Sequence, residues 1–265
     1  MRSFVPSKKF SQNFLIDKNV LERIVDSCSF KSNETVLEIG PGQGALTRVL
    51  LPRVKEIIAV EADGRLVSDL RSGFIGQPFS VHHGDILKFD ISSVAAGSCI
   101  NVVGNVPYNI STPIVERMIA QRRWIGSLLM TVQFEFAKRL IAPVGSKDYG
   151  VLTCLVRCFS QSAILFRINS RAFRPMPNVE SCFVRIDFRR EPLFSLDDAV
   201  FFEKLLRLVF CQRRKTILNA LGTLAPRGVL SVALRGAGIS EKSRPEDVSV
   251  EEYARLSNLL GHVSG

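Results

Sequence analysis

The stretch that most restricts what this chain can fold into is Val36-Leu37-Glu38-Ile39-Gly40-Pro41-Gly42-Gln43-Gly44, an apolar run that stops in three glycines separated by single residues. It reads as a strand entering a glycine turn. Ala45 to Leu51 then carries apolar residues at helical spacing, so the unit is strand, glycine loop, helix. That unit opens a doubly wound sheet, in which ligands sit beyond the carboxyl ends of the strands. Glycines there, Gly40 and Gly42 foremost, let the backbone come within contact distance of a ligand. Taken alone, the turn fits a ligand loop and an ordinary tight turn equally well.

A second apolar run, Glu56-Ile57-Ile58-Ala59-Val60, ends in Glu61-Ala62-Asp63. A carboxylate at that strand end can accept both hydroxyl protons of a ribose. Nicotinamide dinucleotides and S-adenosylmethionine both present such a ribose, and these two strands do not separate them. A third run, Phe79-Ser80-Val81-His82-His83, ends in Gly84-Asp85-Ile86. Asp85 fits an acceptor for an adenine amino group, and it fits a helix N-cap equally well.

The fourth run discriminates. Asn101-Val102-Val103-Gly104 leads into Asn105-Val106-Pro107-Tyr108-Asn109, and Ser111-Thr112-Pro113 opens a helix with Pro in its first turn. An amide, a proline-stiffened backbone and an aromatic face are presented together, which is what methylating the exocyclic amine of a base requires. The lone pair of such an amine is delocalised into the ring, so the amine is a poor nucleophile and must be aimed. The side-chain carbonyl of Asn105 and a backbone carbonyl near Pro107 can accept its two N–H protons while Tyr108 stacks on the base. The alternative is a proline turn with a buried Tyr.

The glycine turn, the acidic second strand end and Asn-Val-Pro-Tyr-Asn together resemble the rRNA adenine N6-dimethyltransferases. Lys-Lys-Phe-Ser-Gln-Asn-Phe-Leu near the N-terminus, Ala-Phe-Arg-Pro-Met-Pro-Asn-Val-Glu-Ser in the middle and Phe-Cys-Gln-Arg-Arg-Lys-Thr near the C-terminus resemble the bacterial small-subunit branch of that family. The likeness runs from about Lys8 to Leu260. Two departures are Ser11, where Gly is usual, and Val106, where Leu is usual. The resemblance implies that an N-terminal basic arm closes over S-adenosylmethionine, with Asn13 and Leu15 touching it. Glu61 with its neighbour Ala62, and Asp85 with Ile86, would complete the donor site beside the glycine loop. It also implies that Phe173 is a second stacking face opposite Tyr108, although a proline-rich connection with one aromatic also suits a packed turn.

Charge points the same way. The 265 residues carry a formal net charge of +10, which fits a polyanionic partner. Between Asp148 and Glu180 there is no acidic residue, yet Arg157, Arg167, Arg171 and Arg174 lie there. Lys8 with Lys9, and Arg213-Arg214-Lys215, make two more clusters. Clusters bracketing a base-type pocket read as an RNA footprint in which Lys8, Lys9, Arg171, Arg174, Arg213, Arg214 and Lys215 meet phosphates. Six Cys occur without a C-x-x-C pair or a matching His cluster, so neither a metal site nor a disulfide framework is expected. No apolar run is long enough to span a membrane and the N-terminus reads as neither signal peptide nor presequence, so a cytoplasmic protein is expected.

In order, a helix is expected from about Asp17 to Cys28, then the sheet units above, a fifth strand from Ser127 to Gln133 and a helix from Phe134 to Ile141. Tyr149 to Phe159 is ambiguous and is read as helix. Ala163 to Ile168 and Cys182 to Phe188 finish the sheet as a strand pair, antiparallel at its edge. Glu191-Pro192 marks a boundary to four short helical patterns. The expected organisation is an α/β, Rossmann-like S-adenosylmethionine-dependent methyltransferase domain over residues 1–190 and a small helical, rRNA-binding domain over 191–265. The expected activity is dimethylation of N6 on two adjacent adenosines in a 3′-terminal hairpin loop of small-subunit rRNA, by a monomer acting on a pre-ribosomal subunit. The alternatives are a large-subunit rRNA adenine methylase, a nucleic-acid-binding assembly factor of the same fold, and a nicotinamide oxidoreductase.

Overall fold

A computed structural model of the chain describes residues 13–95 and 97–261. The described chain begins with the two-residue strand β1 (Phe14–Leu15) and α1 (Lys18–Cys28). Asp17 caps α1 by accepting the Asn19 and Val20 N–H groups, and the helix buries Leu21, Ile24, Val25 and Cys28. The chain then alternates: β2 (Thr35–Ile39), α2 (Ala45–Leu50), β3 (Glu56–Glu61), α3 (Gly64–Gly73), β4 (Phe79–His83), β5 (Ile100–Gly104), α4 (Ser111–Ala120), β6 (Ile125–Gln133) and α5 (Phe134–Leu140). There follow α6 (Val151–Phe159), β7 (Ser160–Ile168), the short β8 (Phe173–Arg174), β9 (Ser181–Phe188), and the helices α7 (Ala199–Phe210), α8 (Ile217–Ala220), α9 (Arg227–Ala237) and α10 (Val250–Gly261).

Among the described residues, seven strands form one sheet in the order β4-β3-β2-β5-β6-β9-β7. The pairs from β4 through β6 are parallel and β6–β9 is antiparallel, a mixed Rossmann-like sheet as expected. The inner parallel strands β2, β3 and β5 are largely apolar because helices cover both faces; Val36, Leu37, Ile57, Ala59, Val102 and Val103 are essentially inaccessible, whereas the edge strand β4 exposes Ser80, His82 and His83. Successive strands run outward from β2 to β4, and the chain then returns to place β5 on the other side of β2. That reversal opens a crevice at the carboxyl ends of β2 and β5. The two strands come very close there: a Cβ on Gly104 would lie 2.6 Å from the Ile39 carbonyl oxygen.

One pairing is not legible in the sequence. Phe14 and Leu15 of the N-terminal arm pair antiparallel with Arg174 and Phe173, so the arm's end is a strand and the connection after β7 supplies its partner.

The contacts divide the chain differently from a single cut near 190. One unit holds the described residues up to Ala137 together with Ser162–Phe188; the other holds Lys138–Gln161 and the described residues from Arg189 onward. The segment from 138 to 161 belongs with the C-terminal helices because it shares their core. Tyr149, fully buried, donates its hydroxyl to the Val248 carbonyl at 3.0 Å. Its ring meets Phe210, and Phe159 meets Phe202 edge-on. A buried phenol needs an acceptor, and the helical unit provides it.

Candidate functional site

The crevice at the switch point is a cavity of about 1410 Å³ in the sheet unit, and all four strand ends singled out from the sequence line it. Gly40 and Gly42 follow β2, Glu61 and Ala62 end β3, Asp85 and Ile86 follow β4, and Asn105, Pro107 and Tyr108 follow β5. Asn13 and Leu15 of the arm line it too.

The glycine turn needs its glycines for two reasons. Gly40, Gly42 and Gly44 have φ of 62°, 59° and 75°, a region that other residues enter at a cost. A Cβ on Gly42 would also stand 2.9 Å from the Phe14 ring, which packs against the turn. Glu61, only 5 % exposed, ties the turn to the second strand: Oε2 accepts the Gly42 N–H at 3.0 Å and Oε1 the Asp63 N–H at 2.9 Å. Each oxygen keeps a lone pair, enough for two hydroxyls. Burial pushes the Glu61 carboxyl above the usual range, with the Asp63 charge adding to the rise, and the N–H groups of Asp63, Gly42 and Ala62 pull it partly back.

After β4, Asp85 opens a turn and not the helix that its capping reading assumed. Its Oδ1 caps a turn by accepting the Leu87 N–H at 2.9 Å, while Oδ2 has no hydrogen-bond partner among the described residues and the side chain is exposed in the cleft.

Asn105 is held at both ends. Its Nδ2 donates to the Asn13 carbonyl at 2.8 Å, and its Oδ1 accepts the Thr131 hydroxyl. Oδ1 retains capacity for one more donor. Tyr108 is half-buried, with its hydroxyl 2.6 Å from Ser181 Oγ. Burial raises its pKa above the ordinary phenol value, so the ring stays neutral.

Phe173 is not where a second stacking face would stand. It is 3 % exposed, lies in the apolar cluster with Leu15, Phe166, Ile168 and Ala172, and does not line the cleft. Its pairing opposite Leu15 fixes it among core residues, so the packed-turn reading of this connection describes the ring's position.

The basic residues separate by their partners. Arg157 donates to the Ala142 carbonyl, and Arg167 pairs with Glu180 and stacks on Phe134. Arg213 donates to the Lys147 carbonyl and lies 3.7 Å from Glu246. Arg171, Arg174, Arg214 and Lys215 are exposed, with no side-chain hydrogen bond or ion pair among the described residues. Lys8 and Lys9 lie outside the described residues.

Sequence reasoning missed Glu38, Thr131 and Ser181. Glu38 lines the cleft at 1 % exposure and accepts the Thr47 hydroxyl at 2.7 Å. Burial pushes its carboxyl up to about 7, with the Glu61 charge adding to the rise. An acid inside an otherwise apolar strand was the available signal. Thr131 and Ser181 gave none, because their contacts depend on strand register.

Three kinds of comparison agree. The model of the ribosomal RNA adenine dimethylase family matches residues 5–262. The ribosomal RNA small subunit methyltransferase A of Moorella thermoacetica is 37 % identical over 98 % of this chain and 94 % of its own length. That of Anoxybacillus flavithermus is 39 % identical over 96 % and 90 %. Among solved structures, a dimethyladenosine transferase from Plasmodium falciparum superposes with a TM-score of 0.78 at 26 % identity, covering 92 % of this chain and 95 % of that one. The 23S rRNA methyltransferase ErmE superposes with a TM-score of 0.69 at 29 % identity, covering 94 % and 100 %. The glycine turn, the buried Glu61 carboxylate and the Asn-Val-Pro-Tyr strand end meet in one cleft of a chain matched over nearly its full length, and the chain belongs to the ribosomal RNA adenine dimethylase family.

Proposed function

We propose that this chain transfers methyl groups from S-adenosylmethionine to N6 of two adjacent adenosines in a 3′-terminal hairpin loop of small-subunit rRNA, as a cytoplasmic monomer acting on a pre-ribosomal subunit. The observation that carries the reading is the convergence of Glu61, the glycine turn, Asn105 and Tyr108 on one cleft. The residues fit the donor: a nucleoside with two ribose hydroxyls suits the Glu61 oxygens, and the exposed Asp85 Oδ2 suits an adenine amine. Gly40, Gly42, Ala62, Ile86, Asn13 and Leu15 would wall it in. When bound, the donor supplies an electrophilic methyl carbon on a sulfonium.

The chain's own work is then positioning. The free lone pair of Asn105 Oδ1 accepts one N6–H and a backbone carbonyl near Pro107 the other, which turns the nitrogen lone pair toward the methyl carbon. Tyr108 stacks on the flipped adenine. The proton that leaves N6 passes to water, so no strong base is required. Thr131 and Ser181 lie behind Asn105 and Tyr108. The helical unit, with Arg214 and Lys215 exposed, is the proposed rRNA-binding part, together with Arg171 and Arg174 of the sheet unit and the basic Lys8 and Lys9.

The decisive experiment incubates the protein with unmethylated small subunits, and separately large subunits, with labelled donor, and maps the modified base. Dimethyladenosine in the small subunit is expected; label confined to the large subunit would replace this reading with the large-subunit one, and no label with the assembly-factor one.

Glu61→Ala should weaken donor affinity by about 1–3 kcal/mol, because two buried N–H groups and two ribose hydroxyls lose their acceptor. Calorimetry with S-adenosylhomocysteine checks it; an unchanged affinity would remove the ribose from this strand end.

Neutralising Arg214 and Lys215 should flatten the salt dependence of subunit binding by about 0.7–0.9 log units of slope for each rRNA phosphate that these side chains hold, without altering donor affinity. Arg213 belongs in a separate variant, since its contacts to Lys147 and Glu246 make it part of the helical unit's framework. A slope that survives the double substitution would assign these two residues to a solvated surface.

A further inference from the structure

Two buried hydroxyls on the seam between β6 and β9 stand behind the residues assigned to the chemistry, and neither lines the cleft. Thr131 is 1 % exposed and Ser181 is fully buried. The Thr131 hydroxyl donates to Asn105 Oδ1, and the Ser181 hydroxyl lies 2.6 Å from that of Tyr108. Strand register produces both contacts. Gly104 pairs with Met130, which brings Thr131 alongside Asn105. Gln133 pairs with Ser181, so Thr131, two residues before Gln133, shares a sheet face with Ser181 as its diagonal neighbour.

We propose that Thr131 and Ser181 are positioning residues for methyl transfer, the first setting the orientation of the Asn105 carboxamide and the second anchoring the outer end of the Tyr108 ring. This rests on the roles given above to Asn105 and Tyr108. A carboxamide has two ends of nearly equal shape, and a half-turn exchanges acceptor for donor. Nδ2 is fixed by the Asn13 carbonyl, which can only accept, so Oδ1 is the end that meets Thr131 and the hydroxyl there must donate. That contact occupies one lone pair and leaves the other at a defined angle for an amine hydrogen. Transfer between aligned atoms is steeply sensitive to such angles. For Tyr108, stacking needs the ring to stay over the base, and the hydroxyl pair with Ser181 anchors its outer end against swinging away. Ser127 makes the same kind of contact from the same face of β6, donating to Asn101 Oδ1 at 2.9 Å. There the amide lies at the opposite end of β5, away from the cleft, so such bonds are also used for structure alone. A rate measurement is what separates the two uses.

The test uses the full chain, with single-turnover transfer at saturating donor and RNA beside donor affinity and a denaturation midpoint. Thr131→Val is expected to slow transfer about tenfold, the equivalent of about 1.4 kcal/mol, with donor affinity within about twofold of the parent. Thr131→Ser, which keeps the hydroxyl, should recover most of the rate. In the Asn105→Ala background Thr131→Val should cost nothing further, because the group it orients is gone. A folded Thr131→Val that transfers at the parental rate, or one whose loss persists beside Asn105→Ala, overturns the assignment. If Thr131→Val does not fold, Ser181→Ala and Tyr108→Phe decide: each should slow productive transfer and their losses should not add, whereas additive losses or none would defeat the proposal. Asn105→Ala on its own distinguishes this failure from failure of the underlying reading, since a normal rate in that variant sinks the role of Asn105 itself.

Discussion

Asn105→Ala will slow single-turnover methyl transfer by on the order of a hundredfold or more, by analogy with deleting one preorganised group that stabilises a transition state. The loss falls on the rate because the amine hydrogens become more acidic as nitrogen attacks carbon, so the acceptor matters more in the transition state than in the bound ground state. RNA affinity should change little. The substitution also strips the Asn13 carbonyl and the Thr131 hydroxyl of their partner, so a modest loss of stability and some loosening of the arm should accompany it. Measuring the transfer rate at saturating donor separates the two effects. A rate within a few fold of the parent would mean that Asn105 only closes a turn.

Phe173→Ala will destabilise the sheet unit by about 3–5 kcal/mol, the usual cost of deleting a fully packed phenyl ring. The ring is 3 % exposed and sits among Leu15, Phe166, Ile168 and Phe183, so its loss leaves a cavity that the surrounding strands cannot close. The pairing of Leu15 with Phe173 would weaken with it, and donor affinity should fall as the end of the arm loosens. Phe173→Leu keeps most of the apolar volume and should cost much less. Chemical denaturation of both variants checks the stability. A midpoint unaffected by Phe173→Ala would show that the ring does not reside in the core in solution. Transfer by Phe173→Leu at the parental rate would leave stacking to Tyr108, whereas a slow but stable Leu variant would mean that the ring turns out toward the base.

The strand–glycine–helix opening, the acids at the ends of the next two strands and Asn105-Val106-Pro107-Tyr108 were legible in the sequence because each is local. Alternation of apolar runs with glycines, prolines and helical spacing determines where strands stop, and in a parallel sheet every such stop lies on one rim. The family resemblance added what spacing could not, namely which base and which RNA. Three matters depended on the tertiary structure, each because it is a contact between residues far apart in the chain. The Phe173 ring is core because Leu15 pairs opposite it, and an aromatic among prolines is compatible with exposure or burial until that pairing is known. Arg213 differs from Arg214 and Lys215 because Lys147 and Glu246 are within its reach, a distinction that three adjacent cations do not carry in their order. Thr131 and Ser181 matter because a parallel register and an antiparallel register bring two ordinary hydroxyls to Asn105 and Tyr108. A one-residue slip in either would turn those side chains to the other face of the sheet, and register is set by the packing of the whole sheet rather than by the residues beside it.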